Sequence, residues 1–362
     1  MQRTYNFNAG PSALPLEVLE KAQKEFINYH ETGMSVMELS HRSGEFEEIL
    51  LNAQQNLREL LDIPENYEIL FLQGGASLQF SMIPMNFLAA DQTAGYVLTG
   101  SWSEKALKEA KKIGKTAVIA TTDENNYRSI PKQNEIILPK DTLSYLHITS
   151  NNTIFGTQWH QYPELDGIDL IADMSSDILS KKIDVSKFSM IYAGAQKNLG
   201  PSGVTLVILK KELLARIPDQ LPTMLDYRTH VKSNSLYNTP PTFGIYMLSL
   251  VLEWVKTQGG LEGIEQKNHE KAALIYNQME AYPDFYRPHA EKESRSLMNI
   301  TFTLPSEELT KEFLSQAKEA GFVGLNGHRS IGGCRASAYN AVPLEACQAL
   351  ANFMETFRKR FL

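Results

Sequence analysis

Lys197 is the residue in this sequence best placed for covalent chemistry. It lies in a stretch of small residues between two apolar runs, 189–193 and 204–209. The runs predict two short buried strands with Lys197 at the turn between them. A lysine held among apolar strands is partly desolvated, which lowers its pKa and favours a nucleophilic amine. Taken alone, the stretch also fits a surface lysine in a hairpin.

Asp173 adds a second chemical group upstream, at the end of the apolar run 167–172. An acid at the end of one strand and a lysine after a later strand suit pyridoxal phosphate (PLP). The lysine forms a Schiff base with this cofactor, and the acid keeps its ring nitrogen protonated. Asp173 also fits a helix N-cap before Ser175, and this reading does not exclude the first.

Three further positions offer groups that a phosphorylated, flat cofactor needs. Residues 73–77 form a Gly-Gly turn between a strand predicted at 67–72 and a helix from about Leu78, where backbone N–H groups and the Ser77 hydroxyl can bind phosphate. A tight connection without a ligand is the commoner meaning of such a turn. Trp102 follows the next strand and could stack on a ring, although core packing is the commoner role of tryptophan. Thr153, in a polar turn, could donate a hydrogen bond to an oxygen or the phosphate of the cofactor.

Composition bounds the class of protein. With 362 residues, 43% hydrophobic and 21% charged, the chain predicts a soluble globular protein with one large and one smaller domain. A net charge of −7 argues against general nucleic-acid binding. No apolar stretch suits a signal peptide or a membrane span, so we expect no membrane association and a cytoplasmic location. Cys334 and Cys347 lack metal-ligand spacing, and we expect neither a disulfide framework nor a metal site.

The alternation of strands and helices predicts an α/β fold with a mostly parallel sheet flanked by helices. Gly259 and Gly260 separate two long helical patterns. We therefore predict a large domain at 16–258 and a smaller α+β domain made of 1–15 and 259–362.

Six motifs, in order along the chain, carry a family resemblance. They are NFNAGP at 6–11, SVMELSHRS at 35–43, NTIFGTQW at 152–159, AQKNLGPSG at 195–203, YNTPPT at 237–242 and GHRSIGGCRAS at 327–337. Nearly end to end, the chain resembles the phosphoserine aminotransferases, in the class V group of fold-type I PLP enzymes. The resemblance implies a fold-type I PLP-dependent transferase.

The resemblance also implies roles for individual residues. Lys197 carries the Schiff base and shuttles a proton, Asp173 pairs with the ring nitrogen, Trp102 stacks on the ring, and Thr153 bonds its 3-oxygen. The resemblance implies a homodimer whose subunits share each phosphate site: Ala76, Ser77 and Gln196 from one, Asn238 and Thr239 from the other. Some members carry Gly-Arg where this chain has Ala76-Ser77, which removes a positive charge.

The implied reaction transfers the amino group of L-glutamate to 3-phosphohydroxypyruvate, giving O-phospho-L-serine and 2-oxoglutarate in serine biosynthesis. The family also suggests 4-phosphohydroxythreonine, in pyridoxine biosynthesis, as a further substrate. Both amino acids carry two anionic groups, which arginine binds well through paired hydrogen bonds. The resemblance assigns Arg335 to the α-carboxylate and His41, Arg42, His328 and Arg329 to the distal anion. Each arginine alone also fits a solvated surface charge.

Two alternatives stay open at this point. A class V cysteine desulfurase-like enzyme needs a reactive cysteine, for which Cys334 is the candidate in the site region; relatives often carry methionine there. A non-catalytic PLP-binding protein would hold the cofactor without responding to amino acids. A nucleotide-binding enzyme is disfavoured because the P-loop and Rossmann fingerprints are absent.

Overall fold

The computed structural model describes residues 3–139 and 143–361, so residues 1, 2 and 362 of the predicted small domain and 140–142 of the predicted large domain lie outside it. The described α-helices are α1 (Leu16–Glu25), α2 (Gly44–Leu60), α3 (Gly75–Phe87), α4 (Ser101–Ala110), α5 (Tyr227–Lys232), α6 (Thr242–Thr257), α7 (Gly260–Ala281), α8 (Glu307–Glu319) and α9 (Leu344–Lys359). The described strands are β1 (Tyr5–Asn6), β2 (Tyr67–Leu72), β3 (Thr93–Leu98), β4 (Thr116–Thr121), β5 (Leu143–Thr149), β6 (Asn151–Asn152), β7 (Thr157–Gln158), β8 (Leu170–Asp173), β9 (Met190–Gly194), β10 (Thr205–Lys210), β11 (Arg287–Pro288), β12 (Asn299–Thr303), β13 (Phe322–Val323) and β14 (Cys334–Ser337).

A seven-stranded sheet organises the first two thirds of the chain. Its strand order is β2-β10-β9-β8-β5-β3-β4, and only β10 runs antiparallel to its neighbours. The apolar runs on both sides of Lys197 are β9 and β10, as the sequence predicts, and all five residues of β9 are buried. The parallel strands β5, β8 and β9 end at the same edge of the sheet, where ligands of open α/β folds bind. The predicted fold class is confirmed.

Helices cover both faces of this sheet. On one face α2 packs against α6 through buried side chains such as Phe46, Leu50 and Leu248. On the other face α3 packs against α4, and Phe80 and Leu107 belong to its core. Strands covered on both faces read as continuous apolar runs, which is why the sequence predicts them well.

Two helices begin earlier than the sequence predicts. Helix α3 begins at Gly75 instead of about Leu78, because Gly74 adopts a left-handed conformation (φ 89°) that turns the chain directly into the helix. Helix α4 begins at Ser101, whereas the helical pattern of the sequence predicts a start at Ser103. The Ser103 hydroxyl accepts hydrogen bonds from the backbone N–H groups of Thr99 and Gly100 at 3.0 and 3.2 Å. Trp102 therefore lies in the first turn of α4 and not at the end of β3.

The last third of the chain forms a second core. The antiparallel sheet β11-β12-β14 packs with α7, α8 and α9 around side chains that include Phe302 and Phe313. Strand β1 returns to this region by pairing in parallel with β13. Helix α7 contacts both regions, because Leu261 belongs to the core of the large sheet and Ile275 to the second core. The domain boundary at 258/259 stays a prediction.

Candidate active site

Lys197 lies three residues after β9 ends, in a recess at the edge of the sheet. Its Nζ donates a hydrogen bond to Thr153 Oγ1 at 2.8 Å. The N-terminal arm covers the same loop: the Ser12 hydroxyl donates to the Lys197 carbonyl at 2.5 Å, and the Ser12 N–H donates to the Gln196 carbonyl at 2.9 Å. Gly10 packs beside the lysine side chain, where even an added Cβ would lie 3.6 Å from Cε.

The surroundings of Lys197 make its amine a better nucleophile. Desolvation lowers its pKa to about 8; the negative charge of Asp173 opposes this shift, and the positive charge of Arg335 reinforces it. The fraction of neutral amine at neutral pH is therefore well above that of a surface lysine. β9 and β10 do pair as an antiparallel hairpin, but Lys197 is partly buried and desolvated, so the alternative of a surface lysine is wrong.

Asp173 is the last residue of β8 and is almost completely buried. Burial raises its pKa, while hydrogen bonds from Ser175, the charge of Lys197 and the hydroxyl of Tyr192 favour the charged form. The backbone N–H of Ser175 donates to Oδ1 at 2.9 Å. Residues 175–179 form turns and not a helix, so the helix N-cap alternative for Asp173 is wrong; Asp173 accepts from this turn, and its charge acts on Lys197.

The Gly-Gly turn is built to receive an anion. Gly74 and Gly75 have φ values of 89° and 64°, and the position of a Cβ on Gly75 faces open space. Because α3 begins at Gly75, Ala76 and Ser77 lie in its first turn, where backbone N–H groups lack helical partners. The Asn238 side-chain amide donates to Gln73 Oε1 at 2.9 Å, so residues 237–239 lie beside this turn within one chain.

Trp102 presents its ring to the lysine. Lys197 Nζ lies 6.0 Å from the ring centroid, and Lys105 Nζ lies 4.0 Å from it. The indole Nε1 is buried, and no hydrogen-bond partner for it occurs among the described residues. A flat aromatic face beside a desolvated amine, next to a helix N-terminus, fits the ring and phosphate of PLP.

Basic side chains gather on the other side of Lys197. Arg335, on β14, donates from Nη1 to the Thr153 carbonyl at 3.2 Å, which ties β14 to the turn that bonds Lys197. The pKa of His328 is lowered by desolvation and then by the positive charges of Arg335, Arg329 and Lys105. A cavity of about 670 Å³ is lined by His328, Arg329 and Arg335 together with the arm residues Asn8 and Ala9. Such a group of like charges is suited to an anionic ligand.

His41 and Arg42 stand apart from this cluster. They end the loop before α2, and neither is among the charges that shift the pKa of Lys197, His328 or Arg335. Within one chain, three of the five predicted anion-binding residues come together and these two do not join them.

Lys105 is a candidate site residue that the sequence interpretation missed. It belongs to a charged helical pattern typical of a solvent-exposed face, and it is indeed exposed. Its spacing of three residues from Trp102 was the available signal, because residues i and i+3 share one face of a helix. That signal required knowing that α4 begins before Trp102.

Comparisons with known proteins agree with this geometry. Residues 4–350 match the family model of class V aminotransferases. The chain is 68% identical to a phosphoserine aminotransferase of Geobacillus kaustophilus over 100% of both chains, and 62% identical to that of Bacillus subtilis over 99% of both. A solved phosphoserine aminotransferase from Bacillus circulans subsp. alkalophilus superposes with a TM-score of 0.98 at 57% identity, with 100% of both chains covered.

A solved PLP-bound phosphoserine aminotransferase from Trichomonas vaginalis is 39% identical, with a TM-score of 0.92 over 98% of this chain and 100% of that one. The resemblance read from six sequence motifs is thereby confirmed. This chain belongs to the class V aminotransferases and, among them, to the phosphoserine aminotransferases.

Proposed function

We propose that this protein catalyses PLP-dependent amino transfer from L-glutamate to 3-phosphohydroxypyruvate, which yields O-phospho-L-serine and 2-oxoglutarate. The observation that carries the proposal is that the desolvated Lys197 lies close to the basic cluster that contains Arg335. Thr153 joins them directly, since its hydroxyl accepts from Lys197 and its carbonyl accepts from Arg335. Membership of the phosphoserine aminotransferases supports the same substrates.

The residues present fit PLP. When bound, this cofactor supplies an aldehyde carbon that links to amines and a ring that takes up electrons. Lys197 is the amine that would hold it, Trp102 offers a face for its ring, and Asp173 offers a negative charge for its ring nitrogen. Ala76 and Ser77 in the first turn of α3, and Gln196 next to Lys197 in the chain, would hold its phosphate.

Lys197 then acts as the base. An amine with a pKa of about 8 accepts a proton from the substrate's α-carbon at neutral pH and can return it. Its hydrogen bond to Thr153 fixes Nζ in one place, and desolvation favours its neutral form. Proton removal and return by a single positioned group is the step that amino transfer requires of the protein.

The arginine cluster sets which substrates bind. Arg335 would hold the α-carboxylate, and His328, Arg329 and Lys105 would hold the distal anion, either the phosphate or the glutamate side-chain carboxylate. Lys105 supplies a positive charge near the ring face of Trp102 in a chain that has Ser77 where some relatives carry arginine. A single site that accepts two different distal anions is what the two half-reactions need.

We further propose a homodimer in which His41 and Arg42 complete the partner's anion site. The segment leading to them exposes apolar side chains, with Ile27 82% and Met37 52% accessible in one chain. Covering this surface with a second copy would remove apolar area from water. The assignment of Asn238 and Thr239 to the partner's phosphate site, like a cytoplasmic location, stays a prediction. None of the described helices combines the length and apolar character needed to cross a bilayer.

The desulfurase alternative lacks a reactive thiol. Cys334 is fully buried in the second core, and desolvation raises its pKa well above the ordinary value for cysteine. A cysteine nucleophile needs exposure and a lowered pKa. Phe302 lies directly across from Cys334 in the β12–β14 pairing, which places this thiol in a structural role.

The visible absorption of the purified protein tests the proposal. We expect a yellow protein whose band is lost on adding L-glutamate alone and restored by 3-phosphohydroxypyruvate. A yellow protein that does not respond to glutamate would favour the non-catalytic carrier. A protein that shows no band after PLP is added would contradict the assignment of Lys197.

A further inference from the structure

A buried row of polar side chains lies behind Asp173, on the sheet face that α3 and α4 cover. Tyr192 on β9 is the direct cross-strand partner of Asp173 on β8, so both side chains point to the same face. His147 on β5 is paired with Ile171, two residues before Asp173, and shares that face. Asp173 is 5% exposed, His147 1% and Tyr192 0%.

A hydrogen bond joins His147 to Tyr192, and Tyr192 lies directly beside Asp173 on the neighbouring strand. His147 Nε2 lies 2.8 Å from the Tyr192 hydroxyl. That hydroxyl is in turn one of the donors that favour the charged form of Asp173. The row continues away from Asp173 to Tyr96 and Tyr145, whose hydroxyls are 2.9 Å apart.

Proton counting fixes the direction of the chain. Burial lowers the pKa of His147 to about 3, so its ring is neutral and carries one N–H. The Tyr192 hydroxyl has one proton. It stabilises the charged form of Asp173 only if it donates that proton to the Asp173 carboxylate. His147 must then donate from Nε2. The other nitrogen, Nδ1, is left as a buried acceptor for which the described residues offer no partner.

Asp173 needs such support because burial by itself favours its neutral form. The titratable or charged groups near the row are Lys197, Asp177, Tyr96, Tyr145 and Tyr227. Of these only Lys197 is cationic, and it becomes neutral or covalently engaged when it works as an amine. The neutral hydroxyl of Tyr192 stays in place, so it can stabilise the Asp173 carboxylate also when Lys197 is no longer cationic.

We propose that Tyr192 and His147 are positioning residues whose hydrogen-bonded chain keeps the Asp173 carboxylate charged and fixed for pairing with the ring nitrogen of PLP. The inference rests on the proposed function, since it concerns the cofactor's protonation. Neither residue touches the reacting atoms. Their effect is on how readily the ring takes up electrons.

The test is the ring-nitrogen resonance of bound PLP labelled with ¹⁵N, measured on the holoenzyme. In the unsubstituted protein we expect the position of a protonated pyridine. Tyr192→Phe should move it toward the unprotonated position, because Asp173 then competes for the proton. His147→Leu should give a smaller shift in the same direction, and His147→Gln, which keeps an N–H donor on a side chain of similar reach, should restore much of the original position.

Tyr96→Phe is the matched control. It removes another buried tyrosine hydroxyl from the same sheet face, and that hydroxyl bonds Tyr145 instead of the Asp173 chain. An unchanged resonance in Tyr192→Phe, or an equal shift in Tyr96→Phe, would overturn the inference while leaving the proposed function intact. Should Tyr192→Phe fail to fold, the comparison of His147→Leu with His147→Gln decides by the same criterion. A protein that takes up no PLP would instead overturn the proposed function, and this inference with it.

Discussion

The ionisation of Lys197 can be tested through the rate at which the apoprotein captures PLP. The pKa of this lysine falls from 10.5 to about 8 because its ammonium is desolvated. A decrease of about 2.5 pH units increases the neutral amine roughly 300-fold at pH values below 8. For a lysine with a lowered pKa, the neutral, reactive form appears as the pH rises through the lower value.

The assay mixes apoprotein with PLP at a series of pH values from about 6 to about 11, traps the adduct with borohydride and quantifies the Lys197 peptide. We expect the initial rate to rise with a midpoint near pH 8. Peptide mapping is needed because Lys271, which donates to the carbonyls of Ala338 and Tyr339, is also buried and has a pKa of about 8. Its adduct would appear in a different peptide.

Two substitutions are expected to move the pH midpoint of this reaction in opposite directions. Asp173→Asn removes a negative charge that favours the ammonium, so its midpoint should fall below that of the unsubstituted protein. Arg335→Met removes a positive charge that disfavours the ammonium, so its midpoint should rise. Ionisation of PLP itself is common to all three proteins and cancels in the comparison. A midpoint near pH 10.5, or shifts in the reverse order, would refute the electrostatic account of this lysine.

Four further predictions concern turnover. Lys197→Ala should abolish phosphoserine formation from phosphohydroxypyruvate and glutamate, because both the covalent link and the base are lost; substantial turnover would contradict the role of the lysine. Arg42→Ala should raise the KM for phosphohydroxypyruvate, and dissociating and remixing it with Lys197→Ala should recover activity if Arg42 serves the partner's site; no recovery would place it elsewhere. Lys105→Gln should raise the same KM by about two- to fivefold, the effect of one exposed charge, and an unchanged KM would remove it from the anion cluster. Cys334→Ala should lower stability by about 1 kcal/mol through lost packing while leaving kcat near that of the unsubstituted protein, whereas complete loss of turnover in folded protein would revive the desulfurase alternative.

The sequence predicts the central sheet well because most of its strands are buried on both faces. Strands of this kind appear as continuous apolar runs, and β2 matches the predicted range 67–72 at both ends. The predicted end of α1 was about Tyr29, whereas the helix ends at Glu25 and His30 adopts a left-handed conformation (φ 44°). Helix ends depend on such single-residue conformations and on caps, which periodicity does not report.

The chemistry of Lys197 and Asp173 was readable because it is encoded locally. Asp173 ends one apolar strand and Lys197 lies three residues after another, and parallel strands bring their carboxyl ends to one edge. Arg335 could be placed beside them only through the family motif, because β14 lies in a different sheet and reaches Thr153 by tertiary packing.

By itself the sequence determined the α/β class, the lysine and acid that suit PLP, and the family to which the chain belongs, because these depend on short-range patterns and on motifs held in one stretch. Only the tertiary structure decided that Trp102 lies in the first turn of α4, with Lys105 next to its ring. It also revealed the His147–Tyr192 chain behind Asp173, and it left His41 and Arg42 outside the cluster of their own chain. These features depend on strand register and helix starts, which are set by contacts between residues far apart in the chain.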